Sequence, residues 1–151
     1  METWMITGVT GFLGPRVEAA LREKGEVEVL PMTREELNFT DQEQVKRVLG
    51  TLHPDVLVHA AAVSDTGACE RDPEGSWKVN VTGVEYLSKA CRENGTKLIF
   101  ASSDQVYTGS EVRTPHREDE ILTPANVYGR EKLEAERIVA NWGPEGVSLR
   151  L

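Results

Sequence analysis

Three glycines, Gly8, Gly11 and Gly14, separate the first apolar segment of the chain from a segment with helical periodicity. Residues 4–7 have the composition of a short buried strand, and apolar residues recur at helical spacing from 13 to 24. Glycine permits a tight turn and lets a bound pyrophosphate approach the backbone where the helix begins. This arrangement predicts a strand–turn–helix unit that binds a dinucleotide, although three glycines in such a place can also form a plain turn.

The rest of the chain alternates between strand-like and helix-like segments. Further strands are predicted at 26–30, 56–62, 97–102 and 147–151, and further helices at 40–52, 73–94 and 123–142. Residues 108–122 show no clear pattern. Because strands joined through helices run parallel, the predicted fold class is α/β. We expect a Rossmann-type doubly wound parallel sheet with helices on both faces, formed by one domain over residues 1–151.

Local signals indicate where the helices begin and which side chains they bury. Thr40 and Glu43 have the spacing of a capping box, and Asp72 precedes a proline at a first helical position. Thr123, also followed by a proline, is expected to open the last helix. Trp77 falls on the apolar stripe of the third helix and is therefore expected to be buried.

The composition excludes several classes of function. The net charge of −8, from 25 acidic and 17 basic residues, argues against binding to nucleic acid or to an anionic membrane. No apolar run reaches the roughly 18 residues that a membrane span requires. Cys69 and Cys91 form no CxxC motif and the histidines lack metal-ligand spacing, so no metal site is expected. A reduced, cytoplasmic protein is the simplest interpretation.

The residues after the second strand bear on which dinucleotide the chain accepts. NAD sites usually place an acid there for the ribose hydroxyls, whereas this chain has Thr33 and Arg34 with no acid before Glu35. A hydroxyl and a guanidinium suit a 2′-phosphate, so NADP(H) is the preferred cofactor and NAD(H) is the alternative. Arg34 can also be a solvated surface charge, in which case it says nothing about the cofactor.

Tyr128 and Lys132 are four residues apart on the last predicted helix and therefore share one face. A phenol titrates near about 10 in water, so a neighbouring ammonium is expected to favour the phenolate. Ser103 follows a buried strand, at the edge of a parallel sheet where ligands bind. Its hydroxyl can bond a substrate carbonyl while Tyr128 protonates it. Ser102, by contrast, is explained equally well as a hydroxyl that caps the strand end.

Asn80 is a polar residue among apolar neighbours in the third predicted helix. Its side chain either orients a water or a backbone carbonyl near the active site or makes purely structural hydrogen bonds. The sequence leaves both interpretations open.

These signals occur together, and in the same order, in the extended short-chain dehydrogenase/reductase superfamily, which the chain resembles over essentially its whole length. The shared motifs are the glycine turn from Thr7 to Gly14, His59 with three alanines after it, Ser103, and the Tyr128–Lys132 pair. Within the superfamily the chain is most similar to the dTDP-4-dehydrorhamnose reductase family. That similarity is clearest at 102–109 and 124–132, with further matches at 37–41 and 69–73.

The resemblance implies reduction of a 4-keto-deoxysugar attached to dTDP, by hydride from NAD(P)H. It implies contacts of Gly11, Phe12 and Leu13 with the pyrophosphate, Asn38 and Phe39 with the adenine, and Ala62, Val63 and Ser64 with the ribose and nicotinamide. It also implies that Ser103 and Asp104 meet the sugar, with Tyr128 as the acid and Lys132 as its support. Asn38, Gln105 and Gly67 depart from the residues common in the family, and these departures leave the identity of the sugar open.

Other proteins on the same scaffold remain alternatives. One is a nucleotide-sugar epimerase or dehydratase, although the residues after the serine strand fit these enzymes less well. Another is a non-catalytic NADP-binding partner protein like the regulatory β-subunit of methionine adenosyltransferase, which resembles the same reductases. We expect the chain to be the N-terminal cofactor-binding domain of such a protein, without the C-terminal substrate-binding domain, and a homodimer is one option for its assembly.

Overall fold

Five parallel strands form one sheet in the computed structural model, which describes residues 1–107 and 115–151. Within these residues the strands are β1 (Glu2–Thr7), β2 (Val27–Met32), β3 (Val56–His59), β4 (Lys97–Ser102) and β5 (Gly146–Arg150). Their order across the sheet is β2-β1-β3-β4-β5. Because the order reverses between β1 and β3, a crevice opens at the carboxyl ends of these two strands, where ligands of such sheets bind.

Helices cover both faces of the sheet, which confirms the predicted fold class. They are α1 (Gly14–Lys24), α2 (Gln42–Leu52), α3 (Thr66–Arg71), α4 (Pro73–Trp77), α5 (Gly83–Asn94) and α6 (Val127–Ala140). On one face, α2, α5 and α6 bury Leu49, Leu87 and Val139 in the larger apolar cluster. On the other face, α1 packs Val17 and Leu21 against a smaller cluster.

The predicted capping box at the start of α2 is wrong. Asp41 is the capping residue, and its carboxylate accepts hydrogen bonds from the amides of Glu43 and Gln44. The Thr40 hydroxyl donates instead to the Asn38 side chain at 2.7 Å. The carboxylate of Asp41 reaches two amides at once, which explains why the helix begins one residue later than expected.

Two other boundaries differ from the prediction by three or more residues. The last helix begins at Val127 and not at Thr123, because the Asn126 side chain accepts a hydrogen bond from the Gly129 amide at 2.7 Å. The third strand ends at His59, and the alanines after it leave the sheet and pack their backbone against Gly8. The predicted cap at Asp72 is confirmed, since its side chain accepts from the Gly75 amide.

A π-helical turn, Lys78–Thr82, joins α4 to α5 and changes which residues are buried. Trp77, expected in the core, is 46% exposed, whereas Ser76 is 3% exposed. The wider turn holds one extra residue compared with an α-helix. On its N-terminal side, the buried position therefore moves back by one residue, from Trp77 to Ser76. The helical stripe extrapolated from α5 therefore selects the wrong residue at Trp77.

The segment without a clear pattern falls partly outside the described residues, at 108–114. Residues 115–122 contain neither a helix nor a strand. None of the helices in the described part of the chain is long and apolar enough to cross a membrane. Among the same residues, no group of His, Cys, Asp and Glu side chains is placed to hold a metal ion.

Candidate active site

The turn between β1 and α1 brings two backbone segments into close contact. Gly8 has a φ of +78°, and a Cβ built on it would lie 2.6 Å from the Ala61 nitrogen. A Cβ on Gly14 would meet the Gly8 carbonyl, and the Gly11 amide donates to that carbonyl at 3.0 Å. No described side chain caps the N-terminus of α1, and its first turn contains no acidic residue. A helix start of this kind suits a bound anion such as a pyrophosphate.

Two adjoining cavities form a groove along the carboxyl ends of the strands. Predicted site residues that line the first, of about 230 Å³, are Gly8, Thr33, Arg34, Asn38, Phe39, Ala62 and Val63. Those that line the second, of about 380 Å³, are Gly8, Gly11, Phe12, Leu13, Ala62, Ser64, Ser103, Tyr128 and Lys132. Gly8 and Ala62 belong to both, so the two cavities meet at these residues. Asp104 is exposed beside the groove and lines neither cavity.

Tyr128 lies in the wall of the larger cavity and is 8% exposed. Burial raises its pKa above the ordinary value, and the negative charges of Asp104 and Glu131 act in the same direction. The Ser103 hydroxyl opposes this increase. In this structure the net pKa of the phenol is thus raised, and the nitrogen of Lys132, the residue expected to favour the phenolate, donates to the Ala101 carbonyl. A phenol with a raised pKa keeps its proton at neutral pH and can act as an acid.

Lys132 is 3% exposed and donates from Nζ to the Ala101 carbonyl at 2.9 Å. Its nitrogen lies 4.6 Å from the Phe100 ring centroid and 5.7 Å from that of Tyr128. Burial lowers the pKa of Lys132 to about 8, and the neighbouring carboxylates of Glu131 and Glu136 partly offset this decrease. The ammonium form is therefore only moderately favoured at neutral pH.

The loop after β4 holds Ser103 between two partners. The Ser103 hydroxyl accepts a hydrogen bond from the Gln105 amide at 3.2 Å and donates to Asp104 at 3.3 Å. The Ser102 hydroxyl points the other way and donates to the buried Glu136 at 2.6 Å. Ser102 thus has a structural partner, whereas Ser103 lies beside Tyr128 in the cavity wall.

A buried polar network lies beneath the Tyr128–Lys132 pair. Glu131 is 1% exposed and accepts hydrogen bonds from the Ser76 hydroxyl at 2.6 Å and from Asn80 Nδ2 at 2.7 Å. The Asn80 side chain also bonds both the amide and the carbonyl of Val63, each at 2.9 Å. Asn80 therefore orients a backbone carbonyl at the groove and also makes structural hydrogen bonds, so the two interpretations of its role are not exclusive.

His59, the last residue of β3, is buried at the carboxyl end of the sheet. Its Nδ1 shares a 2.7 Å hydrogen bond with the Thr7 hydroxyl, and its ring lies between Phe39 and Phe100. Its Nε2 is buried without a hydrogen-bond partner among the described residues. Burial and the charge of Lys132 lower the pKa of His59 to about 3, so the ring is neutral. The histidine thus adds no charge next to Lys132.

Sequence reasoning missed three acidic side chains around the site. Glu136 lies four residues after Lys132, and the spacing that pairs Tyr128 with Lys132 extends to it directly. Glu131 gives no comparable signal, because an acid in a helix is usually solvated. The third is Glu36, whose carboxylate bonds Thr33 at the end of the groove. Glu35 is the first acid after the strand in the sequence, and only the folded turn shows that Glu36 is the one that bonds Thr33.

The sheet order, the glycine turn and the Tyr–Lys pair in one groove place the chain in the extended short-chain dehydrogenase/reductase superfamily. A family model described as "RmlD substrate binding domain" matches residues 2–151, and the chain belongs to this family. The dTDP-4-dehydrorhamnose reductase of Aggregatibacter actinomycetemcomitans is 31% identical over 150 residues, which cover 99% of the chain and 51% of that protein. Methionine adenosyltransferase 2 subunit beta of Xenopus tropicalis is 35% identical over 154 residues, which cover 97% and 45%.

Solved structures of reductases and epimerases have the same fold as this chain. The dTDP-4-dehydrorhamnose reductase of Bacillus anthracis in complex with NADP superposes with a TM-score of 0.92 at 26% identity, covering 99% of the chain and 52% of that protein. UDP-glucose 4-epimerase of Thermotoga maritima superposes with a TM-score of 0.85 at 26% identity, covering 98% and 54%. The chain thus spans about half the length of the relatives it matches.

Proposed function

We propose that the chain is the cofactor-binding domain of an NAD(P)H-dependent reductase that acts on a 4-keto-deoxysugar linked to dTDP. The observation that carries the proposal is the burial of Tyr128 and Lys132 in the wall of the groove onto which the glycine turn opens. The names of the reductases in the family support the substrate class. The chain spans about half the length of these reductases. We therefore assign cofactor binding and proton transfer to this chain, and most of the recognition of the sugar to the half of the reductases that the chain does not cover.

The residues of the groove fit a dinucleotide. At Gly8 and Gly14 a side chain would collide with neighbouring backbone, which is expected where a ligand and two loops approach closely. Gly11, Phe12 and Leu13 would hold the pyrophosphate at the start of α1. The narrower cavity beyond Gly8 has the aromatic Phe39 on its wall and would hold the adenosine.

In the proposed reaction the bound dinucleotide supplies the hydride that the carbonyl carbon of the sugar receives. Tyr128 donates its phenolic proton to the carbonyl oxygen, so that the C=O group becomes C–OH. Ser103 donates a hydrogen bond to the same oxygen as it gains negative charge. Lys132, protonated below its pKa of about 8, stabilises the phenolate that remains on Tyr128.

NADP(H) is the preferred cofactor in this proposal, and NAD(H) is the alternative. Thr33 and Arg34 line the adenosine end of the groove, where a hydroxyl and a guanidinium suit a 2′-phosphate. The NADP complex of the Bacillus anthracis relative supports the same preference.

Two measurements test the proposal. The chain itself is titrated with NADPH, and saturable binding is expected. A longer protein is then assayed, in which this chain is followed by the remaining half that its relatives contain. The assay measures NADPH oxidation with a dTDP-linked 4-keto-deoxysugar. Tyr128→Phe should lower turnover by about a hundredfold or more, because a general acid is lost, while NADPH affinity is retained. Turnover unaffected by Tyr128→Phe would contradict the assigned acid.

A second candidate is a non-catalytic NADP-binding partner protein. The 35% identity to methionine adenosyltransferase 2 subunit beta, similar to the identities with the reductases, supports it. Cofactor binding without any reduction of the sugar nucleotide, in a folded protein, would support this candidate over the reductase. An epimerase is distinguished by interconversion of the sugar without net consumption of NADPH. The cytoplasmic location, the homodimer and the lack of nucleic-acid binding stay predictions.

A further inference from the structure

The turn after β2 places an acidic side chain against the end of the groove where the adenosine ribose is expected. Glu36 Oε2 accepts a hydrogen bond from the Thr33 amide at 2.7 Å and another from the Thr33 hydroxyl at 2.8 Å. The Leu37 amide donates to the Thr33 carbonyl at 2.9 Å and closes the turn. Thr33 and Arg34 both line the adenosine cavity. Both Thr33 donors that a phosphate would use are therefore bonded to a carboxylate.

The charged side chains of this turn, Arg34 and Glu36, form no ion pair with other described residues. The two hydrogen bonds from Thr33 lower the pKa of Glu36 below its usual range, so the carboxylate is ionised at neutral pH. Over residues 1–107 and 115–151, neither Glu36 nor Arg34 belongs to an ion pair. The exposed Glu36 carboxylate, bonded to Thr33, and the Arg34 guanidinium thus place an anion and a cation on the turn beside the expected ribose.

We propose that Glu36 is a specificity-determining residue that opposes the 2′-phosphate of NADP(H) and so keeps NAD(H) as a competent cofactor. This inference rests on the proposed function, because it assumes that the groove binds a nicotinamide dinucleotide. A 2′-hydroxyl can donate to the Glu36 carboxylate, as acidic residues at the end of this strand accept from ribose in NAD sites. A 2′-phosphate carries about −1.5 to −2 charges and must displace the carboxylate from Thr33 or lie against it. Arg34 attracts the phosphate and Glu36 repels it.

A purely structural role for Glu36 is separable from this one. The spacing of Thr33 and Glu36 is that of a capping box, in which a glutamine serves as well as a glutamate. Glu36→Gln keeps a side-chain oxygen for the Thr33 donors and removes only the charge. If Glu36 merely closes the turn, this variant leaves the relative affinity for the two cofactors unchanged.

The experiment measures the affinities of NADPH and NADH for the chain, its Glu36→Gln variant and its Glu35→Gln variant, by fluorescence titration at low ionic strength. Glu35 is the matched control, since it is an exposed acid in the same turn and makes no side-chain hydrogen bond within the described residues. Glu36→Gln should raise the NADPH/NADH affinity ratio by about fivefold, the effect of one nearby charge in a solvated setting. In about 1 M salt, where the Debye length is about 3 Å, most of this gain should disappear.

The outcomes separate the two proposals. If both cofactors bind and Glu36→Gln leaves their ratio unchanged, or changes it no more than Glu35→Gln does, the inference is overturned and the proposed function stands. If neither cofactor binds to the unmodified chain, the proposed function fails and the inference fails with it. A larger ratio in Glu36→Gln alone, reduced by salt, supports the inference.

Discussion

The Glu131 carboxylate, one residue before Lys132, accepts a hydrogen bond from Asn80 Nδ2 at 2.7 Å. The same amide nitrogen donates to the Val63 carbonyl, which lies at the groove. One asparagine thus connects the helix that carries the proposed proton donor to the loop proposed to face the nicotinamide. Because Asn80 and Glu131 are buried and both are bonded, the relative positions of these groups are fixed by hydrogen bonds and not only by packing.

Glu131→Gln should lower the pKa of Lys132 below its value of about 8. Glu131 raises that pKa by its charge, and glutamine keeps the size of the side chain while removing the charge. The carboxylate of Glu136, which also raises it, remains in place. The measurement is an NMR titration of the lysine ε-carbon in selectively labelled protein. Glu134→Gln, an exposed change on the same helix, is the control, and equal titrations in both variants would refute the prediction.

Gly8→Ala should abolish cofactor binding and destabilise the fold more than Gly25→Ala does. Both glycines have positive φ, +78° and +66°, so both variants carry the same backbone strain of about 1 kcal/mol. A Cβ meets neighbouring backbone at Gly8 and nothing within 4 Å at Gly25. Urea unfolding and NADPH titration of the two variants measure the difference. Cofactor binding by Gly8→Ala at the unmodified affinity would show that the close loop contact is dispensable.

His59 should make the chain less stable as the pH falls below about 6.5. Its folded pKa of about 3 lies below the ordinary 6.5, so between these values the unfolded state binds a proton that the folded state does not. Stability is therefore fully present above about 6.5 and is lost progressively on acidification, by about 2 kcal/mol at pH near 5.

Urea unfolding at neutral pH and near pH 5 tests this dependence. His59→Gln should lose less stability between the two pH values than the unmodified chain. His53→Asn is the control, because His53 is exposed at the end of α2 and has a positive φ that asparagine tolerates. A pH dependence unaffected by His59→Gln would mean that other groups cause it.

Arg150→Met should destabilise the chain by about 3 kcal/mol. Arg150 bonds both oxygens of Glu136, at 3.0 and 2.9 Å, and its removal leaves a carboxylate buried beside Ser102 without its cation. The matched control is Arg117→Met, because the Arg117–Asp119 pair is largely exposed and contributes about 0–1 kcal/mol. Chemical denaturation compares the two. Equal losses would mean that the buried pair stabilises the fold no more than a surface pair.

The sheet and the groove could be predicted because their signals are local. Alternating apolar segments and the glycine turn determine where strands and helices lie, and parallel connection determines that Ser103 and Tyr128 meet at one edge. The start of α6 was misplaced because the proline after Thr123 and the cap at Asn126 are both acceptable starts by sequence. In the fold Asn126 is the cap, and Gly129 packs against the Gln105 carbonyl, a tertiary contact that the local sequence does not reveal.

The acidic residues around the site could not be predicted for a different reason. Burial of Glu131 depends on Ser76 and Asn80, which are more than 50 residues away in the chain. The pKa of Tyr128 was expected to fall because spacing alone places Lys132 beside it. Lys132 instead donates a hydrogen bond to the Ala101 carbonyl in β4, and spacing within one helix cannot reveal a contact with a strand.

The wide turn at Lys78–Thr82 divides one continuous helical segment into two halves with different phases. Ser76 before it is directed at Glu131, while Leu87 after it is directed at the core of the sheet. A deletion of one residue in this turn would restore an ordinary helix and rotate one half by about 100° relative to the other. An insertion or deletion in this segment would therefore turn Ser76 away from Glu131 if Leu87 keeps its place in the core.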